Sequence, residues 1–373
     1  MQANERAPQS SAFKQQRLPA WQPILTPKLV VLTFLIVGVI FLPLGGVILA
    51  AANGVKEFKV RYDNVEACQV SRQEGNYGKT CQVAVDITED MDGPVYFYYE
   101  LHNFYQNHRR YVKSRSDSQL RNADSSTDGC YPLEDFNNTK LYACGLIAGS
   151  YFNDLFAAAL TPADNSGTVS LSASAEVPLT GVPSEDIDLV GNLTAGLQSI
   201  YNEDTWVRDG IAWSSDVKHK FIGRDLNSDE TDQGPFQAET KTFLPRVDDE
   251  DFIVWMRTAG LPTFRKLHRV VKRDLKKGDK LTVTIKNSTS LPLYSCMYRY
   301  TIYLCLDFPV DEFEGEKWVV VSTMSWLGGK NSFLGSAYIF VGVLCLVSAA
   351  AFGLAHKYRP RQLGDLSILE DDM

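Results

Sequence analysis

Twenty-four consecutive residues, Leu29 to Ala52, carry no charged side chain. About 20 apolar residues suffice for a helix to cross the hydrocarbon core of a bilayer, so this run can span with some tilt. A cleavable signal peptide is the rival reading, because Ala50, Ala51 and Ala52 resemble a small-residue cleavage site. Signal peptides use roughly 7–15 apolar residues, and a polar tail of 28 residues precedes this longer run, so an uncleaved span is expected.

A second charge-free run of 24 residues, Ser332 to Ala355, ends at His356-Lys357-Tyr358-Arg359. Two spans put both termini on one side. Arg6, Lys14, Arg17 and Lys28 precede the first span, and Lys357, Arg359 and Arg361 follow the second; by the positive-inside rule both tails are cytosolic. The expected organisation is a cytosolic tail (1–28), a first span (29–52), an exoplasmic domain (53–331), a second span (332–355) and a cytosolic tail (356–373). Neither span contains Asp, Glu, Lys, Arg or His, which argues against a channel or transporter acting alone, since such pathways usually need ionisable groups. Pro43 predicts a kink. Gly46 and Ala50, and Ala349 and Gly353, have the four-residue spacing of small residues that lets helices pack closely.

The loop of 279 residues is long enough for a sizeable core. The whole chain carries −8, residues 1–52 carry +3 and residues 332–373 carry −1, so the loop holds −10. So acidic a domain is a poor nucleic-acid binder. Six cysteines lie in it, Cys68, Cys81, Cys130, Cys144, Cys296 and Cys305, and an even number on the oxidising side points to disulfides. Neighbour pairing is the simplest of 15 connectivities, and the sequence alone leaves the others open. Three N-x-S/T sequons, at Asn137, Asn192 and Asn287, are candidate glycosylation sites on the same side.

Alternating or β-branched runs predict strands at Gln82–Ile87, Tyr96–Tyr99, Lys280–Ile285 and Trp318–Val321, hence a mainly antiparallel β domain with helical insertions. The apolar run Leu155–Leu160 reads as helix-like. Asp248-Asp249-Glu250-Asp251 resembles a metal cluster, but acids before Phe252–Met256, with Gly260 beyond, are ordinary helix signals. Pro262 then reads as opening another helix, with Phe264, Leu267 and Val271 on one stripe and Arg265, Lys266, Arg269, Lys272 and Arg273 opposite. That basic face, like His108-Arg109-Arg110 with Lys113 and Arg115, suits solvent, anionic headgroups or a partner's acidic loop. Asp124–Asp135 has the oxygen spacing of an EF-hand loop, but Asp replaces the usual Glu at the twelfth position and Cys130 and Pro132 interrupt it; a disulfide-pinned turn is expected instead.

No G-x-S-x-G, H-E-x-x-H or paired C-x-x-C is present, so nothing marks an ecto-hydrolase around Ser214, Ser215, Asp216 and His219. Gly328-Gly329-Lys330-Asn331 lacks the first glycine and the Ser/Thr of a P-loop; its glycines suit a positive-φ backbone or a close approach to another chain. The proline-bearing tail Phe13–Pro27 reads as an extended strip along a partner, or as an interfacial anchor using Trp21 and Lys28.

Six stretches together resemble one family, the accessory (β) subunits of type-IV P-type ATPases, the phospholipid flippases. They are Phe13–Pro27, Asn103–Leu120, Cys144–Asp154, Ile211–Asp216, Asp251–Arg269 and Ser325–Leu334. The resemblance implies a non-catalytic subunit without cofactors. Its partner would be a catalytic ATPase that carries the nucleotide and lipid path. It also implies an antiparallel β sandwich with helical additions, disulfides Cys68–Cys81 and Cys130–Cys144 and less firmly Cys296–Cys305, and residence in secretory-pathway membranes. Partner contacts are expected at Phe13, Arg17, Pro19, Trp21 and Pro23 and at Gly328, Gly329, Lys330 and Asn331. One local departure stands out: Leu155 abolishes a sequon at Asn153 that many relatives have. The alternative class is a stand-alone membrane receptor or adhesion protein.

Overall fold

The computed structural model describes residues 11–18, 26–69, 80–123, 126–136, 139–141, 143–152, 154–164, 166–171, 205–222, 247–286, 310 and 313–360. They fall into two units, a helical one (1–53 with 331–373) and a β domain (54–330).

In the helical unit, Thr26 Oγ1 accepts from Leu29 N–H and Pro27 takes the first helical position, where its missing N–H costs nothing. Helix α1 runs from Pro27 to Asn53, unbroken at Pro43. The last helix, numbered α7 below, spans Phe333–Tyr358 and ends on His356 and Lys357, which complement its negative C-terminal dipole. The two pack antiparallel: Phe34 meets Phe352 and Phe41 meets Tyr338, with ring centroids 5.9 and 5.0 Å apart. The seam consists of small residues, and of the two expected pairs it takes only Ala349/Gly353: Ala349 is buried and a Cβ on Gly353 would lie 4.0 Å from Val31 Cγ1. A Cβ on Gly45 would lie 2.8 Å from Ile339 N, and one on Gly335 would lie 2.7 Å from Leu49 N. Gly46 has nothing within 4 Å and Ala50 is exposed, so the anticipated Gly46/Ala50 pair faces away. Outward-facing leucines, valines and phenylalanines cover the remaining surface of both helices, as suits helices that face hydrocarbon.

The β domain is built in chain order from β1 (Glu57–Arg61), β2 (Thr80–Asp86), β3 (Val95–His102), α2 (Arg109–Lys113), α3 (Asp117–Leu120), β4 (Asp135–Phe136), β5 (Thr139–Lys140), α4 (Leu146–Gly149), β6 (Leu155–Thr161), β7 (Val169–Ser170), β8 (Trp206–Val207), α5 (Ser214–His219), α6 (Glu250–Met256), β9 (Phe264–Val271), β10 (Lys280–Lys286) and β11 (Glu316–Ser322). One large sheet has the order β1-β11-β3-β9-β8 and a second β2-β10-β6-β7, while β4 and β5 pair as a small third, with every pairing antiparallel. Both larger sheets contribute to a single core. Val83, Val85, Phe156, Leu281 and Val283 come from one sheet, and Phe97, Tyr99, Val319 and Val321 from the other. Phe97 and Phe156 touch edge-on across it at 5.5 Å. This is the expected sandwich with helical insertions. Disulfides Cys68–Cys81 and Cys130–Cys144 are formed; Cys296 and Cys305 lie outside the described residues.

Two helix expectations are overturned. Leu155–Leu160 forms β6, paired to β10 along its full length. A short, continuously apolar run fits a buried strand as well as a helix, and here sheet pairing overrides the alanines' helical preference. Phe264–Val271 forms β9. Its apolar residues fit both periods because a β-bulge interrupts the alternation: Phe97 pairs with Arg269 and Tyr98 with Leu267, leaving His268 as the extra residue. The inward phase thereby passes from Phe264, Lys266 and His268 to Arg269 and Val271. The anticipated basic face does not exist as such. Arg269 and Lys266 are buried, and Arg265 pairs with Glu57 and Glu100.

Candidate functional site

Helix α6 is the hub on which four of the family-like stretches converge: Asn103–Leu120, Cys144–Asp154, Ile211–Asp216 and Asp251–Arg269. Asp249 caps it, accepting from Asp251 N–H at 2.9 Å, and Glu250 and Asp251 occupy the positive first turn. The same acids hold neighbouring segments. Arg208 reaches Asp249 and, at 3.1 Å, Asp251; Arg269 donates to Asp251 at 2.7 Å; Glu250 accepts from Gly210 and Ala212 N–H at 3.0 and 2.8 Å. Burial alone would raise the Asp251 carboxyl, but Arg269, His268 and Arg208 hold it well below the usual range. Asp249, buried beside that carboxylate, is pushed up. The acidic run is thus a helix start and an arginine clamp. Among the described residues no group of three or more His, Cys, Asp or Glu side chains is placed to hold a metal ion.

At the other end of α6, Lys266 Nζ donates to the carbonyls of Val254 (3.0 Å), Trp255 (3.4 Å) and Arg257. An amine donor there satisfies carbonyls that the helix leaves open, and burial, then the Arg257 charge, pull its pKa down to about 7. Between the two ends, the Trp255 indole donates to Ile147 O at 2.7 Å, tying α6 to α4. Gln106 Oε1 accepts from Ala259 N–H and Asn107 Nδ2 donates to Gly260 O, joining the stretch after β3 to the one after α6. Ser114 Oγ bridges Cys130 O and Leu146 N–H, and Gln119 bridges Leu141 O and Cys144 N–H, binding α2 and α3 to the Cys130–Cys144 disulfide. These motif residues hold loops in register and are not arranged for group transfer. Asp216 is engaged by Lys220 (2.6 Å) and Arg257 (3.5 Å) and not by His219.

A second buried centre escaped sequence reasoning. Lys317 Nζ and Tyr62 Oη both donate to Asp154 Oδ2, at 2.8 and 2.7 Å. Burial, and then the Asp154 charge, push the Tyr62 phenol well up. The available signal was the phase of β11: Lys317 shares the inward alternation of Val319 and Val321.

Of the expected contact residues, Phe13 and Arg17 are exposed on a turn closed by Gln15 N–H to Ser11 O and Arg17 N–H to Ala12 O. Pro19, Trp21 and Pro23 lie outside the described residues, as do the sequon asparagines Asn137, Asn192 and Asn287. In the β domain, Ser325 and Gly328 exchange backbone hydrogen bonds at 2.9 Å, and Gly328 adopts the positive φ of +114° that its residue type suits. This turn presents Trp326, 74% exposed, and Leu327; Gly329 and Lys330 beyond it are exposed as well. In the helical unit, exposed Asn331 accepts from Phe333 N–H at the start of α7.

Two long apolar helices bracketing a disulfide-bonded antiparallel β sandwich define an integral membrane protein whose bulk is a single non-membrane domain. The model of the LEM3 (ligand-effect modulator 3) / CDC50 family matches residues 48–362. The chain belongs to that family, in accord with the resemblance to accessory subunits of type-IV P-type ATPases. It is 39% identical over 376 residues to ALA-interacting subunit 3 of Arabidopsis thaliana (98% of this chain, 91% of the relative). It is 35% identical over 380 residues to Cell cycle control protein 50A of Mus musculus (96% and 91%), and 32% identical over 365 residues to Cell cycle control protein 50B of Homo sapiens (91% of each).

Proposed function

We propose that this chain is the non-catalytic accessory subunit of a phospholipid-translocating P-type ATPase, needed for the enzyme's assembly, export from the endoplasmic reticulum and transport cycle. The observation that carries this reading is the family match from the end of the first span through the β domain and the second span, supported by relatives aligned over nearly the whole chain whose names describe interacting subunits. The termini are cytosolic and the β domain exoplasmic, with glycans on Asn137, Asn192 and Asn287 and a third disulfide between Cys296 and Cys305. Phe13, Arg17, Pro19, Trp21, Pro23 and Gly328–Asn331 contact the ATPase. A subunit that binds some pump conformations more tightly than others shifts their populations by that differential affinity.

The test is purification of the tagged chain from its native membrane in mild detergent, with mass spectrometry of stoichiometric partners. A co-purifying P-type ATPase whose phosphoenzyme formation depends on this chain is the expected result. A monodisperse chain without any ATPase overturns the proposal in favour of a stand-alone receptor.

A further inference from the structure

On the β domain, α3, α5 and the C-terminal end of α6 enclose a cleft of about 150 Å³. Its floor is apolar, formed by the buried side chains of Leu120, Phe221 and Met256. Its walls carry four cations, Arg115, Arg121, Lys220 and Arg257, against two carboxylates, Asp117 and Asp216. Arg115 pairs with Asp117 at 3.0 Å, while Lys220 and Arg257 share the single carboxylate of Asp216. The Arg121 side chain forms no ion pair among the described residues. Two positive charges are therefore left unbalanced around an apolar floor, in a domain that carries −10 overall. Crowded like charges repel unless an anion neutralises them.

The geometry of the cations narrows the ligand. The Arg257 guanidinium lies 4.2 Å over the exposed Trp213 ring, an arrangement that fixes its plane and leaves less entropy to lose when its fork engages an oxyanion. Arginine forks match the paired oxygens of phosphate and carboxylate, and a surplus of two charges fits the charge a phosphate group carries. The volume admits a phosphate with a short stem over the apolar floor, but not a length of peptide. Three family-like stretches meet here, through Arg115, Asp216 and Arg257.

We propose that this cleft binds a phosphate group, as a free anion or as the headgroup phosphate of a lipid, with Arg121 and Arg257 as its forks and Lys220 as a point charge. This site is separate from the ATPase contacts proposed above and does not depend on them. The full chain, held in a phosphate-free neutral detergent, is titrated calorimetrically with inorganic phosphate and with glycerophosphoserine. Saturable binding is expected, weakened at least tenfold in Arg121→Gln and in Arg257→Gln, with both variants melting where the parent does. Should Arg257→Gln melt lower, Arg121→Gln decides, because it breaks no ion pair. Glycerophosphoserine binding tenfold tighter than phosphate assigns the site to lipid headgroups, and equal affinities assign it to the free anion. No saturation by either probe, saturation that Arg121→Gln leaves unchanged, or saturation only by an acidic peptide such as tetra-aspartate overturns the proposal.

Discussion

His268 shows how much a single bulged position can decide. It lies buried among aromatic rings, with Phe156, Phe97 and Tyr99 centroids at 5.2, 6.1 and 6.2 Å. Burial and then the Arg269 guanidinium pull its pKa down to about 4, against the opposing pull of Asp251. The unfolded chain, with an ordinary imidazole near 6.5, binds more protons than the folded one between those two values. Stability is therefore fully present above about pH 6.5 and is lost as the pH falls toward 4, by up to about 1.4 kcal/mol per pH unit. Replacing His268 by Phe keeps a ring in the aromatic nest and removes the titration. Between pH 7.5 and pH 5 the parent should lose about 1–2 kcal/mol relative to His268→Phe in denaturant melts; parallel losses in both would refute the assignment. Lys317 offers a second residue-scale test. Lys317→Met strands Asp154 as a buried charge and should cost about 3–5 kcal/mol, whereas adding Asp154→Leu together with Tyr62→Phe, which removes the phenol that donates to Asp154, should recover most of it. Equal damage in the single and triple variants would mean that packing around the lysine stem, not the charge pair, sets the cost.

Secondary structure was legible from the sequence where its period was unambiguous. β2 and β10 follow from alternation, β3 and β11 from aromatic and β-branched content, and the start of α6 from its acids. β6 and β9 were misread for two separate reasons: the first is apolar on both faces, and the second hides its period-2 pattern behind the His268 bulge. The helix pair was legible as two spans, and its seam only on the α7 side, at Ala349 and Gly353. Candidate small pairs occur on several faces of α1, and only packing selects Gly38 and Gly45 over Gly46. Gly335→Val would drive a side chain into the Leu49 backbone, an overpacking that typically costs about 1–3 kcal/mol. Disulfide trapping between Phe34→Cys and Phe352→Cys should fall several-fold in Gly335→Val and stay at the parent level in Gly46→Val. Equal trapping in the two backgrounds would contradict this seam.

At the scale of the whole molecule, the two long apolar helices were the easiest property to read, because charge-free runs of that length show in the sequence without any tertiary context. The buried clamps were the hardest. Arg269, Lys266 and Lys317 are ordinary surface residues until sheet pairing turns them inward, and no local pattern distinguishes Lys266 from the exposed Lys272. The family-like stretches thus separate into two kinds. Those around α6 are bonded into the sandwich, and altering them should unfold it. Phe13 and Arg17 in the tail, and Lys330 beside α7, are exposed and hold no part of the core. If, as proposed, they contact an ATPase, then Phe13→Ala with Arg17→Glu, and separately Lys330→Glu, should leave the melting temperature of the purified chain unchanged while lowering recovery of the ATPase several-fold. Gln106→Ala, which strips the acceptor from Ala259 N–H, should do the reverse in order of events: a lower melting temperature first, and lost ATPase only as a consequence. Full recovery of an active ATPase with the tail and Lys330 variants would remove these residues from the contact while leaving the family assignment intact. Lowered melting in those variants would instead move them from the contact surface into the fold.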